Sequence, residues 1–346
     1  MLTKTSAKFR LTSRLRNSAV IGRVQKCYRG TVICALGGIA AYGLSEQYNA
    51  PVMLIALLIG LAVHFLSEDD RIAGGVEWVA KSLLRIGIAL LGLRISVGDI
   101  FTVGVNALAL VVIAMIVTFI VGAMLGRAMG LTGAYSRLSA GAVAVCGVSA
   151  AIAISAVLPK RNGGDKELAL VIISVTALST MAMILYPVLT SMLNMNNHAA
   201  GIFIGGSIHD VAQVVGAGYS ISGEAGDTAT YIKLMRVALL LPIVLLIGAA
   251  SRGAAASADR QAVLPGFLIA FMILATINSL GWTNAAIDEI GGHLSRAFLV
   301  MSIFAIGMRS YLRDIFKVGF KPFMLVLAET IVMAAVVLGG LLLLGY

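Results

Sequence analysis

Eleven apolar runs follow one another along the chain with short polar stretches between them, and no other feature constrains its fold as much. They fall near 31–44, 51–66, 82–97, 103–126, 138–158, 168–193, 199–219, 230–250, 263–281, 295–308 and 322–345. Spans of about 20 residues, eleven times over, use roughly 220 positions. In a chain of 346 residues that leaves short loops and no soluble domain. With 59% hydrophobic and 12% charged residues and a mean hydropathy of +0.97, no water-soluble globule of this size can hide its apolar surface. In lipid such runs are helical, because the backbone finds no hydrogen-bond partner but itself. The expected fold is all-α, a polytopic membrane protein of about 11 transmembrane helices. Residues 1–30 are read as a basic cytoplasmic tail and 31–346 as a single integral membrane domain.

The net charge of +10 is concentrated at the start. Residues 1–29 carry eight of the 26 Lys and Arg (Lys4, Lys8, Arg10, Arg14, Arg16, Arg23, Lys26, Arg29) and no acid. Beside the first apolar run this segment holds the N-terminus in the cytoplasm and can touch anionic lipid. It is not a nucleic-acid signal. No apolar core precedes Thr31, which argues against a secretory signal. A basic, Ser-containing, acid-free leader also resembles an organelle transit peptide.

Loop charges then alternate. Loops 45–50 (Glu46), 220–229 (Glu224, Asp227) and 282–294 (Asp288, Glu289) read as outside. Loops 127–137 (Arg127, Arg137), 251–262 (Arg252, Arg260, Asp259) and 309–321 (Arg309, Arg313, Lys317, Lys321, Asp314) read as inside. This fits eleven crossings, N-terminus in and C-terminus out, with one dissenter. Lys160, Arg161 and Lys166 lie outside if 138–158 spans. They move inside, and every later loop stays put, if 138–158 and 199–219 both re-enter. The two topologies stay open at this point.

Cys27, Cys34 and Cys146 show no metal or disulfide spacing. Four histidines form no HExxH, and no GxGxxG, GxxxxGK[ST] or GxSxG is present. No cofactor, no metal and no enzyme chemistry are expected.

The segment Gly92–Gly104 aligns with Gly307–Gly319 at a constant offset of 215, seven of thirteen positions matching, with Arg94 on Arg309 and Asp99-Ile100-Phe101 on Asp314-Ile315-Phe316. Run three becomes run ten. An odd shift reverses direction through the bilayer, so the reading is an inverted repeat, the signature of secondary transporters. Chance likeness of two amphipathic helix ends is the rival.

Two constellations interrupt the apolar pattern. In Ser139–Ala156 thirteen of 18 residues are Ala, Ser, Gly or Cys. Such a stretch grips lipid poorly and admits close backbones. It is either a tightly packed helix or one broken near Gly147-Val148-Ser149, with free N–H groups facing an anion. In Gly205–Gly218, His209, Asp210 and Gln213 lie inside an apolar run, where a charge costs about 2.5–3.5 kcal/mol. As a helix this run places Gly206, Asp210, Gln213 and Ala217 on one face, with Ser207 one turn before Asp210, and its glycines permit a break. It reads as a substrate or proton site, or as a polar network that pins packing.

The candidate substrate-binding residues are therefore Cys146, Gly147, Ser149, Ser207 and Gln213. His209 and Asp210 are the candidate proton-coupling pair. Arg94 and Arg309 end the duplicated helices, as vestibule residues or as snorkelling ends. Lys81 and Arg85 snorkel, Gly122, Gly126 and Gly130 form a GxxxGxxxG packing face, and Glu329 stands alone inside an apolar run.

At Leu84–Gly104, Ala144–Ser155 and Gly201–Gly218 the chain resembles the YeiH-type family of bacterial membrane proteins, to which sulfate export is ascribed. The pieces that carry the likeness best are Ser207–Gly218 and Val145–Ala151. The resemblance implies a branch of the cation-antiporter and anion-transporter superfamily, with inverted repeats and two discontinuous helices. The expected function is a secondary transporter of a small anion such as sulfate or an organosulfonate, proton-coupled, alternately exposed by rocking of one repeat against the other. The alternative is a cation/proton antiporter with Asp210 as the ion site. Expected partners are the small inorganic or organic anion, the lipid bilayer and a coupling proton or sodium ion, with no nucleic acid; a homodimer stays open. The expected location is the bacterial inner membrane, multi-pass.

Overall fold

The computed structural model describes residues 27–48, 50–94, 104–159, 163–250, 265–309 and 319–346. Among the described residues all regular structure is helical. The helices are α1 (Cys27–Tyr48), α2 (Val52–Ala62), α3 (Asp70–Trp78), α4 (Leu84–Leu91), α5 (Val105–Ala128), α6 (Gly133–Ala144), α7 (Val148–Val157) and α8 (Gly164–Met192). Then follow α9 (Asn197–Ser207), α10 (Val211–Ile221), α11 (Gly223–Ala238), α12 (Leu240–Ala250), α13 (Gly266–Ser279), α14 (Ala285–Met308) and α15 (Phe320–Leu344). Six stretches are long and apolar enough to cross a membrane: Cys27–Tyr48, Val105–Ala128, Gly164–Met192, Gly223–Ile247, Ala286–Met308 and Phe320–Leu344.

The chain divides into two compact units, 27–85 with 297–309 and 86–296 with 319–346 among the described residues. The sequence suggested one membrane domain. Two of the three boundaries, after Arg85 and after Arg296, fall inside helices, where no change of composition marks them. In the first unit α1 meets α3 at Gly30 and Gly75, and α2 meets α14 at Gly60 and Gly307, backbone against backbone. Ser67 donates to the Met308 carbonyl at 2.8 Å, and Ser302 to that of Val79 at 3.2 Å.

The second unit holds the polar residues singled out above. Polar side chains start several of its helices: Thr132 accepts from Tyr135 N at α6, Asn196 from Ala199 N at α9, and Ser222 from Ala225 N at α11. The runs 138–158 and 199–219 are each two helices that fold back on one another. A Cβ on Gly141 of α6 would strike Ile154 Cδ1 of α7; in an unbroken helix those positions lie about 20 Å apart. At the open end Thr132 Oγ1 donates to Glu167 Oε1 at 3.0 Å, so the start of α6 and the start of α8 are level.

The second pair is read from α11. Gly201 lies against Ala225 and Thr228, and Gly205 against Ala229 and Ile232, so α9 runs parallel to α11. Gly218 lies against Gly226 and Ala229, and the chain turns back at Ser222, so α10 runs antiparallel to α11. Hence α9 and α10 form a hairpin. Asn197 Nδ2 donates to Glu224 Oε2 at 3.3 Å across its open end.

The two turns are made differently. Gly147 takes φ 64, ψ −120, a conformation that only glycine adopts readily. Ile208 and Asp210 are extended and need no glycine. The glycines around the second turn serve close helix approach instead. Because the turn separates Ser207 from Val211, the helical face expected to join Gly206 and Asp210 to Gln213 and Ala217 does not exist: Gly206 belongs to α9, and Gln213 and Ala217 to α10.

Helices α5 and α15 cross antiparallel. Leu110 packs over Gly340, Thr118 Oγ1 donates to Met333 Sδ at 3.4 Å, and Leu325 packs over Gly126. Thr118 and Met333 are 215 positions apart, the offset of the sequence repeat. Leu110 and Leu325 share that offset and play equivalent parts. The pair Gly60 and Gly307 of the first unit corresponds at the same offset to Ala275 and Gly92 of the second, which also touch. Most of the aligned segments themselves, 95–103 and 310–318, lie outside the described residues, and with them Asp99 and Asp314.

Candidate functional site

The two hairpin turns meet. A Cβ on Gly147 would lie 3.5 Å from His209 Cβ. Breaking a helix leaves carbonyls at one end and N–H groups at the other without intrahelical partners, and in a membrane protein each needs one. The carbonyl ends of α6 and α9 are served by two residues that the sequence reading passed over, Lys233 and Arg236. They are one turn apart in the middle of the α11 span, and both are 0% exposed. Lys233 Nζ donates to Val145 O and Ile208 O, both at 2.9 Å. Arg236 Nη2 donates to Val143 O (3.0 Å) and Ala144 O (2.9 Å) of the first hairpin. Its Nη1 donates to Gly205 O (3.1 Å), Gly206 O (2.8 Å) and Ile208 O (3.1 Å) of the second. The planar fork of guanidinium donors ties the two helix ends together. The positive charges sit where the dipoles of α6 and α9 are negative.

The signal that would have found this pair was available. Ionisable residues at mid-span are costly and mark function by default. Lys233 and Arg236 interrupt the apolar run 230–250, and that interruption is the signal.

The residues picked out from sequence fall as follows. Cys146 is buried in the first turn. Gly147 caps α7, which has no side-chain cap. Ser149 is exposed, one residue into α7. Ser207 is buried, and its hydroxyl proton is taken by the Phe203 carbonyl one turn back, so it has none left for a ligand. Gln213 on α10 is 5% exposed, and its side-chain carbonyl oxygen has no protein partner. His209 is fully buried and reaches away from Asp210: its Nε2 lies 2.8 Å from Thr330 Oγ1 on α15. Thr330 gives its own proton to Val326 O at 2.8 Å, so it accepts from His209 Nε2–H.

Asp210 is half-buried. Its carboxylate accepts from Ala212 N at 2.9 Å, capping α10, and its own N–H donates to Ser179 Oγ in the middle of α8 at 3.1 Å. The expected His209–Asp210 pair is therefore two residues facing different helices. In the first unit Arg309 Nη1 lies 3.5 Å from Glu77 Oε1, which also takes Lys81 Nζ at 2.6 Å. Arg309 thus has an acidic neighbour, and the side chain of Arg94 lies outside the description.

Glu329 is 1% exposed on α15, and Ser139 Oγ of α6 donates to its Oε1 at 2.9 Å. Gly122 and Gly126 do more than pack helices. A Cβ on Gly122 would strike the Glu329 carboxyl, and one on Gly126 would strike the Ser136 hydroxyl. Gly130, at φ 75, ends α5 in a turn.

Two helical hairpins, tip to tip, with a buried cationic pair locking their broken ends, define the core of a multi-pass helical membrane protein. The chain belongs to the family described as Conserved hypothetical protein 698, which matches residues 29–326. It is the YeiH-type family that Ser207–Gly218 and Val145–Ala151 resemble. The UPF0324 membrane protein TauZ of Paracoccus denitrificans is 45% identical over 329 residues, covering 94% of this chain and 97% of its own length. A UPF0324 membrane protein of Rhizobium meliloti is 45% identical over 321 residues, covering 92% and 93%. One from Chlorobaculum tepidum is 43% identical over 322 residues, covering 92% and 90%. No solved structure matches the chain.

Proposed function

We propose that this protein is a secondary transporter, an exporter, of a small anion such as sulfate or an organosulfonate, coupled to protons and seated in the bacterial inner membrane with its N-terminus cytoplasmic. The observation that carries the reading is the buried Lys233–Arg236 pair at the meeting point of the hairpin turns. Four half-helix ends converge there, two negative and two positive, and their dipoles roughly cancel. The side chains then leave two positive charges against one, Asp210. A centre with net charge of about +1 suits an anion, and protonating Asp210 raises it to about +2. Proton and anion thereby bind together. The N-terminus of α7, without a side-chain cap, supplies main-chain donors. Lys233 has a third ammonium proton beyond the two it gives to carbonyls.

Both hairpins are read as re-entrant, which resolves the one loop that broke the charge pattern. Lys160, Arg161 and Lys166 then join the other basic loops in the cytoplasm. Among the described residues the crossings then number nine: α1, α2, α3 with α4, α5, α8, α11 with α12, α13, α14 and α15. The inverted repeat is supported by the antiparallel α5 and α15, whose Thr118 and Met333 touch at the repeat offset of 215. Equivalent residues meet only on an axis relating the two copies. The protein is read as a transporter, not an enzyme.

The half-buried carboxylate of Asp210 favours one other reading, a cation/proton antiporter with Asp210 as the ion site. The two neighbouring buried cations oppose it. Purified protein in vesicles with an imposed pH gradient, tested with labelled sulfate, a labelled alkyl sulfonate and sodium, separates the two. The proposal expects pH-dependent sulfate or sulfonate flux, lowered by Asp210→Asn and by His209→Ala in well-folded protein. Absence of flux for both anions, with a proton signal on adding sodium, establishes the antiporter instead.

A further inference from the structure

We infer that the Glu329 carboxyl is a second, membrane-embedded proton-binding site, in which Ser139 holds one oxygen in the room left by Gly122 while the other is kept for the proton. The coupling role of this site rests on the transporter reading above; the proton-binding site itself does not.

Glu329 lies near the middle of α15, a 25-residue apolar helix. An acid at such a depth is retained when it is paired or when it works. Among the described residues no basic group comes within ion-pair distance of it. Its Oε1 accepts from Ser139 Oγ at 2.9 Å, and its Oε2 is buried with no protein partner at all. Buried polar atoms of this kind are rare in folded proteins and call for an explanation. The surroundings rule out a packing accident. Gly122 of α5 leaves the room that the carboxyl fills, since a Cβ there would strike Oε1. The pocket thus fits a carboxyl, supplies one donor and leaves one oxygen for a partner from outside the protein. The smallest such partner is a proton.

The groups that face it fit this role. From α6 come Ser139 and Tyr135, whose hydroxyl donates to Pro322 O at 3.3 Å. From the second hairpin comes His209, bonded to the adjacent Thr330. Helix α5 has no charged residue before Arg127, and α8 none beyond Glu167. Among the described residues no fixed cation is on hand to hold Glu329 ionised, and Asp210 has its carboxylate engaged as the cap of α10. Through successive residues α15 also touches both hairpins, Glu329 reaching α6 and Thr330 reaching the turn of the second. Loading or unloading a proton at Glu329 therefore acts on the two elements that meet at the anion site.

Two measurements test this. Infrared difference spectra of the purified full chain across a pH titration are expected to show a protonated-carboxyl band that Glu329→Gln removes. No band lost in that variant overturns the site, whatever the protein transports. In vesicles loaded with labelled sulfate or alkyl sulfonate, a gradient of about one pH unit supports up to about ten-fold accumulation per coupled proton. Glu329→Gln is expected to remove the share of that accumulation carried by the Glu329 proton, up to about ten-fold, while the pH dependence due to Asp210 remains. Gradient-driven accumulation equal to wild type overturns the coupling role. If wild type moves neither anion, the transporter reading fails, and the infrared band still decides whether Glu329 binds the proton. Glu329→Asp, which keeps an acid, is expected to restore part of the band and serves as the control for folding.

Discussion

Replacing Arg236 by alanine removes five charge-assisted hydrogen bonds of 2.8–3.1 Å. Ile208 O keeps its bond from Lys233, so four carbonyls lose their partner: Val143, Ala144, Gly205 and Gly206. An unsatisfied buried polar group costs about 1–3 kcal/mol, which gives a gross loss of about 4–12 kcal/mol. Against this, the chain no longer buries a guanidinium, a burden of several kcal/mol, and water can enter the space left behind. Setting the two against each other leaves a net destabilisation of about 3–5 kcal/mol. Lys233→Ala removes two bonds instead of five and is expected to cost less. Arg236→Lys keeps the charge but not the fork, and falls between wild type and alanine. Reversible unfolding in mixed detergent micelles, followed by circular dichroism, gives the free energies. Stability of Arg236→Ala within about 1 kcal/mol of wild type would show that the guanidinium does not hold the hairpin ends. So would a larger loss from Lys233→Ala.

Gly147→Ala is expected to destabilise by about 1–3 kcal/mol through backbone strain alone, because its Cβ finds ordinary contact, 3.5 Å from His209 Cβ. The same unfolding assay measures it, and a neutral effect would mean that the first turn is not held as described. In a background freed of Cys27, Cys34 and Cys146, cysteines placed at Gly133 and Gly164 are expected to react with an impermeant thiol reagent from one side of the membrane. Cysteines at Asn197 and Gly223 are expected to react from the other. Labelling of positions 133 and 164 from opposite sides would mean that the first hairpin crosses.

Much of the membrane architecture is legible in the residue order. Run length and hydropathy place the helices, and Thr132, Asn196 and Ser222 mark where three of them start. The density of small residues around Gly147 allowed either a break or a tightly packed helix, and the glycines around His209–Asp210 permitted another break. What could not be read was direction after each break. A straight helix and a folded-back pair bury the same residues in the same lipid, so hydropathy is blind to the difference. The charges of Lys160, Arg161 and Lys166 carried the hint, but by themselves they left both topologies standing.

Sequence by itself determined that this chain lives in a bilayer and is all helical, and it raised a break at two places and an internal repeat without deciding either. These follow from composition, periodicity and local chemistry, which act over a few residues. Only the tertiary structure decided that α6 with α7 and α9 with α10 are hairpins meeting at their turns. It alone brought Lys233 and Arg236 to the broken ends of both, and put Glu329 opposite Gly122 and Ser139. Those partners lie up to 207 positions apart in the chain. In a membrane, where every helix is apolar on its outside, the choice among partners is made by which buried polar groups can satisfy one another.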